Sequence, residues 1–287
     1  MIHIKSNLIE TVSHLSGEIG RRSYLDIGKL GEAADYIDGK FRSFGCPVAR
    51  QPFAYSNNTY YNLDVEVPGS GGRDEGILIV GAHYDTVPDT PGADDNASGV
   101  AGLLELARLA SLTPFRRTAR FVAFCLEEPP AFMTSRMGSH LYAQRVFVEG
   151  TRVHGMISLE MLGYYCQDDG CQYYPSSLFR LFYPKKGDYI AFVGNISSRR
   201  FTREVRDSFR AVSSLAVESL SGISLIPGVD FSDHRSFWKF GYPAFMVTDT
   251  AFYRNPNYHA PGDTAETLDY EKMSALVEGL YKALREI

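Results

Sequence analysis

The stretch ILIVGAHYDTVPDTPGADDNASGV, residues 77–100, decides the architecture. Its first six residues, Ile77–Ala82, are a short continuous apolar run. Such a run predicts a strand buried on both faces of a sheet. From Ala97 onward Val100, Leu103, Leu104 and Ala107 recur at helical spacing, which predicts a helix over 97–110. A buried strand, a polar loop and a helix in succession form the unit of an α/β fold. The loop between them opens on His83 and Asp85 and closes on Asp94, Asp95 and Asn96. In open α/β sheets sites lie outside the carboxyl ends of the strands, so this loop is where chemistry is expected.

Two further strands repeat the arrangement. FVAFCL (121–126) runs into Glu127 and Glu128, and MISL (156–159) runs into Glu160. A single Asp before a helix is explained by capping and the helix dipole. Three strand ends bearing His or acid point instead to a metal site. A metal-ligating His usually donates its second ring N–H to a carboxylate, and Asp85 is near enough in sequence to His83 to accept it. Adjacent carboxylates such as Glu127 and Glu128 repel each other and cost desolvation unless something positive is close. Neighbours leaving a strand point to opposite sides, so one can bind a metal while the other faces a water as general base. Towards the C-terminus, NPNYHAPGDT supplies His259 with Asp263 four residues on, and DFSDHRSFW supplies Asp230, Asp233 and His234, whose roles spacing does not set.

The rest of the chain alternates strand and helix patterns. Residues 25–44 carry Leu30, Ala33, Ala34, Ile37 and Phe41 at helical spacing. Residues 61–67 alternate like a strand and stop at the turn signal PGSGG. Ala244–Thr248 is another buried strand, 268–287 reads as a closing helix, and the first twenty residues read as an amphipathic helix. Residues 163–188, rich in Tyr, Pro and Gly, predict a surface excursion of the kind that often carries specificity.

Composition narrows the function classes. The chain has 287 residues and a formal net charge of −5, with no basic excess to neutralise phosphates, so nucleic acid is not an expected partner. No run approaches the roughly 18 apolar residues of a membrane span. The N-terminus lacks the apolar core of a signal peptide, which predicts a cytoplasmic location. Four cysteines are too few for a disulfide scaffold. Cys166 and Cys171 flank QDDG, and without a signal peptide they are expected to be free thiols. Phe237 and Trp238 are expected to pack in a core, and His3, His14, His140 and His154 carry no assigned role.

Taken in order, HYD (83–85), GADDNASG (92–99), EE (127–128), LEMLGY (159–164), SDHRSFW (232–238) and NYHAPGDT (257–264) form a set. Over roughly residues 60–285 the chain resembles the di-zinc exopeptidases that include secreted bacterial leucine aminopeptidases, glutamate carboxypeptidase and glutaminyl cyclase. The resemblance implies a three-layer α/β/α sandwich with a mixed, mostly parallel central sheet, formed as one domain over 1–287. It implies two zinc ions, although the His and carboxylate donors also suit cobalt or manganese. His83 and Glu160 would bind one ion, and Glu128 and His259 the other. Asp95 would bridge them, since the family's bridging carboxylate stands three residues before the Ser of the SG pair; Asp94 then lies outside the ligand set. Asp85 would back His83, Glu127 would be the general base, and Tyr258 would polarise the substrate carbonyl. Position 160 is Glu where many secreted members have Asp, and the EE pair runs into PPAF, whose prolines should stiffen the loop.

The implied activity is removal of amino-terminal residues from a peptide or aminoacyl substrate. Three alternatives stand beside it. A glutaminyl cyclase would use one zinc. A carboxypeptidase would need a cation for the substrate carboxylate, with Arg136, Arg199, Arg200 and Arg254 as candidates. A non-catalytic binding module would be expected to have lost ligands.

Overall fold

In the computed structural model, which describes residues 3–71 and 75–287, the apolar run at 77–82 forms a strand near the middle of an eight-stranded sheet. Strands β1 (Ala49–Tyr55), β2 (Asn58–Val67), β3 (Ile77–His83), β4 (Ala119–Phe124), β5 (Val153–Glu160), β6 (Tyr189–Asn195), β7 (Ala216–Gly222) and β8 (Ala244–Thr248) lie in the order β1-β2-β4-β3-β5-β8-β6-β7. The four inner strands β4, β3, β5 and β8 are parallel. Antiparallel pairs join β1 to β2, β2 to β4 and β6 to β8, so the sheet is mixed and mostly parallel. Strand β3 is buried at all seven positions, as expected for a strand covered on both faces.

Helices cover both faces. Leu8 of α1 (Ile4–Ser13), Ile37 of α2 (Ile27–Ser43), Leu103 of α3 (Gly99–Leu112), Phe209 of α5 (Arg199–Val212) and Leu276 of α7 (Tyr270–Arg285) share one core with Val80 and Ile157 of the sheet. On the other face, Tyr142 and Val146 of α4 (Gly138–Val148) and Phe237 of α6 (His234–Trp238) pack on Ile79, Val122 and Met156. This is the three-layer α/β/α sandwich. Local signals set the helix starts: Asp26 accepts a hydrogen bond from the Lys29 amide, and Asp269 accepts from Glu271 and Lys272. Trp238 is partly buried against the Phe237 core, in line with its packing role. Among the described residues no helix is long and apolar enough to cross a membrane.

Several details depart from the sequence pattern. The N-terminal helix is α1 followed by a wider turn over His14–Ile19, while Met1 and Ile2 lie outside the described residues. So does Gly72 at the end of PGSGG. The strand expected at 121–126 spans Ala119–Phe124, because Leu126 turns into the left-handed region at φ 61°. The excursion over 163–188 holds only a short 3₁₀ turn at Ser177–Leu181 and an isolated bridge between Cys166 and Gly187. The expectation of free thiols there is corrected: Cys166 and Cys171 form a disulfide. A turn in which the Cys171 amide donates to the Asp168 carbonyl brings their Cα atoms to 6.3 Å, inside the range a disulfide spans. Cys46 and Cys125 are free and buried.

Candidate metal centre

The parallel strands β3, β4 and β5 are neighbours, so their carboxyl ends deliver His83, Glu127–Glu128 and Glu160 to one place. Two loops complete it: the segment before α3 brings Asp95, and the loop before α7 brings His259. The side chains of His83, Asp95, Glu127, Glu128 and Glu160 are buried, whereas that of His259 is partly exposed.

These residues form overlapping donor groups, His83/Asp95/Glu160 and Asp95/Glu128/His259. His83 Nε2 lies 3.4 Å from Asp95 Oδ1 and 3.3 Å from Glu160 Oε2. His259 Nε2 lies 3.1 Å from Asp95 Oδ2 and 3.4 Å from Glu128 Oε1. Asp95 thus offers one oxygen to each imidazole. For metal–donor bonds of about 2.0–2.1 Å, the edge of a tetrahedron is roughly 3.3–3.4 Å. Three of the four donor spacings match that edge and the fourth, at 3.1 Å, is slightly shorter, so the residues present fit tetrahedral ions on either side of Asp95. Glu127 stands close to both His83 and Glu128.

The loop that carries Asp95 is fixed from all sides. The Asp263 carboxylate accepts the amides of Asp94 (2.8 Å) and Asp95 (3.1 Å). Asp94 points away from the imidazoles, accepting from the Gly163 amide and from Asn255 Nδ2. The Asn96 side chain donates to the Leu159 carbonyl and accepts the amides of Gly99 and Met161. Gly92 sits at φ 65°, and a Cβ there would stand 2.3 Å from the Thr86 methyl carbon; only glycine fits. Asp85 does lie behind His83, but the ring Nδ1 bonds its main-chain oxygen at 3.1 Å, with the carboxylate at 3.6 Å. That carboxylate instead accepts the amides of Glu127 and Glu128, both at 3.1 Å. Asp85 and Asp263 therefore play the same part on opposite sides, each holding two consecutive amides of a donor-bearing segment.

Nothing in the sequence marks Arg22, yet it anchors this loop. Fully buried, it donates to the carbonyls of Leu15, Gly20, Tyr84, Pro91 and Gly92. Burial lowers its pKa to about 10, opposed by the charges of Asp263, Asp85 and Asp95. Arg22→Met is expected to destabilise the fold by about 3–5 kcal/mol, because it leaves several buried carbonyls without donors. Chemical denaturation measures this, and a loss under about 1 kcal/mol would show that those carbonyls find other partners.

The crowding of acids is reflected in their proton affinities. Burial lifts Glu127 well above the usual carboxylate range, and the charges of Glu128, Glu160 and Asp233 add to it. Burial and the charge of Asp95 raise Glu128 to about 7. Burial likewise raises Asp233 to about 7. Burial works against a charged His259, but hydrogen bonds to Asp95 and Glu128 hold it protonated up to about 10. His83 is lifted well above its ordinary value in the same way, by Glu160, Asp85 and Asp95 against burial. Donors must lose their protons to bind metal. Metal uptake near pH 7 is therefore expected to release protons, and affinity to fall as pH drops below about 10, where His259 takes up its proton, and more steeply below about 7, where Glu128 follows. Calorimetry of zinc binding in buffers of different ionisation enthalpy reads the release; a heat independent of buffer would contradict it.

A cleft opens beside Asp95, Glu127, Glu128, Glu160 and His259. Tyr258 lines it, stacked on His259 with ring centroids 3.8 Å apart. Burial keeps the Tyr258 hydroxyl protonated, and the charges of Asp95, Glu128, Glu127 and Glu160 act in the same direction. Asp233 and His234 are both buried but separate in role. His234 bonds the Val229 carbonyl and is held neutral by burial, with its pKa lowered to about 4. His3, His14, His140 and His154 belong to none of the donor groups.

Two acid–imidazole groups beyond the parallel ends of such a sheet define a metallopeptidase of the three-layer α/β/α type. The particular family is peptidase family M28, to which the chain belongs: that family's model matches residues 62–284. The chain is 42% identical over 285 residues to the uncharacterized protein YfbL of Escherichia coli strain K12, covering 96% of this chain and 86% of that protein. It is 28% identical over 229 residues to a probable leucine aminopeptidase of Trichophyton verrucosum, covering 74% of this chain and 53% of that protein. The chain thus spans about half the length of that relative. A zinc aminopeptidase from Bacillus subtilis superposes with a TM-score of 0.76 at 16% identity, covering 97% of this chain and 94% of the other. Bacteroides thetaiotaomicron glutaminyl cyclase superposes with a TM-score of 0.73 at 17% identity, covering 99% and 98%. At these identities the likeness to the solved structures is one of fold.

Proposed function

We propose that the chain is an exopeptidase that removes amino-terminal residues from peptides with the help of two zinc ions. The observation that carries this is Asp95, which turns one carboxylate oxygen to His83 and the other to His259. His83 and Glu160 would hold one ion, Glu128 and His259 the second, and Asp95 both. Zinc bound there would supply Lewis acidity to a scissile carbonyl and lower the pKa of water from 15.7 towards ~7. Glu127 takes a proton from the attacking water and passes it to the leaving amine. Tyr258 donates its O–H to the carbonyl oxygen as negative charge develops. Asp85 and Asp263 keep the donor segments in register through their amide clamps.

The charge of the cleft supports an amine-bearing substrate. Its lining carries acids but neither lysine nor arginine among the described residues. Arg254, a candidate for binding a substrate carboxylate, is buried and occupied by Gln172 and the Tyr189 carbonyl. This disfavours a carboxypeptidase. The complete donor set disfavours a binding module, and two intact donor groups favour the di-zinc enzyme over a one-zinc cyclase.

The test is elemental analysis of the purified chain together with hydrolysis of aminoacyl p-nitroanilides, free and N-acetylated. Two equivalents of metal and hydrolysis only of the free amines is the expected result. One equivalent and no hydrolysis would favour the cyclase.

A further inference from the structure

The cleft extends well past the donor groups. In the register of the sheet, Glu160 of β5 pairs with Thr248 of β8, Thr248 with Ala191 of β6, and Ala191 with Glu218 of β7. All four line the cleft. They form one cross-strand row on one face, with a carboxylate at each end and small side chains between. At 4.7–4.9 Å per strand, the ends of the row are roughly 14 Å apart. Thr248 and Ala191 thus make the floor of a channel leading from the centre to the edge strand.

Glu218 at the far end is partly buried and makes no hydrogen bond or ion pair among the described residues. The arginines of α5 lie behind the sheet, where Arg206 bonds Ser219 Oγ at 3.0 Å and Arg210 bonds the Val217 carbonyl at 2.8 Å. Around Glu218 the excursion over 163–188 builds an aromatic wall. The Tyr183 hydroxyl donates to the Ser219 carbonyl, beside Glu218. The rings of Tyr174, Phe179 and Tyr183 cluster together, with centroids 6.2 Å (Tyr174–Phe179), 5.9 Å (Phe179–Tyr183) and 6.0 Å (Tyr174–Tyr183) apart. The Tyr174 hydroxyl meets that of Tyr189 at 2.9 Å. Burial of the Glu218 carboxylate is costly, and the charges of Arg210 and Arg206, which reach it through space without bonding it, offset that cost only in part. Aromatic faces and a carboxylate together attract a cation.

We propose that this end of the channel recognises a positively charged side chain, so that the enzyme prefers substrates whose amino-terminal residue is lysine or arginine. The proposal rests on the aminopeptidase reading. With the substrate amine held at the donor groups, only a long side chain with its charge at the tip extends along the row towards Glu218. Glu218 is a specificity residue remote from the reacting atoms.

The test compares kcat/KM for lysine and norleucine p-nitroanilides, which differ by the terminal ammonium. The wild-type chain is expected to favour lysine by about tenfold or more. Glu218→Gln should remove that preference through the lysine KM while leaving norleucine turnover within about twofold. Glu218→Lys, with its fold checked by thermal unfolding, should reject lysine altogether. Norleucine cleaved as well as lysine by the wild-type chain, or both slowed equally by Glu218→Gln, would overturn the role of Glu218 and leave the aminopeptidase reading standing. Cleavage of neither substrate, nor of any other aminoacyl p-nitroanilide, would overturn the aminopeptidase reading and this proposal with it.

Discussion

Replacing Glu127 with glutamine is expected to lower kcat by about 10²–10⁴-fold while leaving fold and metal content unchanged. Glutamine keeps the size of the side chain and one oxygen, but it cannot take a proton from water. The main chain at this position is independent of the side chain, because the Glu127 amide is held by Asp85 Oδ1. The variant should therefore keep the geometry of its neighbours. Metal content is the decisive control. Glu127 also lies within reach of His83 and Glu128, so it has the position to act as a ligand itself. Activity and metal lost together would assign it that role; turnover close to wild type would remove it from the chemistry.

Asp95→Ala is expected to have a larger effect still: loss of both metal equivalents and a fall in activity on the order of 10⁴-fold or more. Each donor group has three members and the two groups share Asp95. Without it, each is left with one imidazole and one carboxylate. Both imidazoles also lose the hydrogen-bond partner that favours their charged form, so the metal-free site is weakened as well. His259→Ala is the graded comparison, since it removes a member of one group only and should cost about one equivalent. Elemental analysis of the two variants side by side reads the difference. Two equivalents retained by Asp95→Ala would exclude a shared carboxylate.

The parts of this site legible in the sequence are those that local pattern encodes. Apolar runs ending in His83, Glu127–Glu128 and Glu160 mark strands buried on both faces, and parallel packing then brings their ends together. The parts that were not legible depend on partners far along the chain. Asp263 stands four residues after His259, but its two acceptor bonds go to Asp94 and Asp95, and no spacing rule connects them. Arg22 looks like an ordinary surface cation until five carbonyls surround it. Glu218 gains meaning only from the register of β5, β8, β6 and β7. The edges of the sheet were missed for a related reason. Strand β7 is mostly half-buried along its length, and β1 is exposed or half-buried throughout, so neither shows the continuous apolar run that identified β3. Helix α5 was hidden by its charge, although Phe201, Val205 and Phe209 recur every four residues and are buried.

The clamp from Asp263 to the amides of Asp94 and Asp95 also bears on the order in which the molecule is completed during synthesis. The three donors of the first group, His83, Asp95 and Glu160, have all been translated by position 160. The amide of their shared member is held by Asp263, about a hundred residues further on, and His259 arrives just before it. A nascent chain that has reached residue 160 therefore carries the first donor group without the Asp263 clamp. The two donor groups and the clamp on their shared member are complete only after residue 263 emerges.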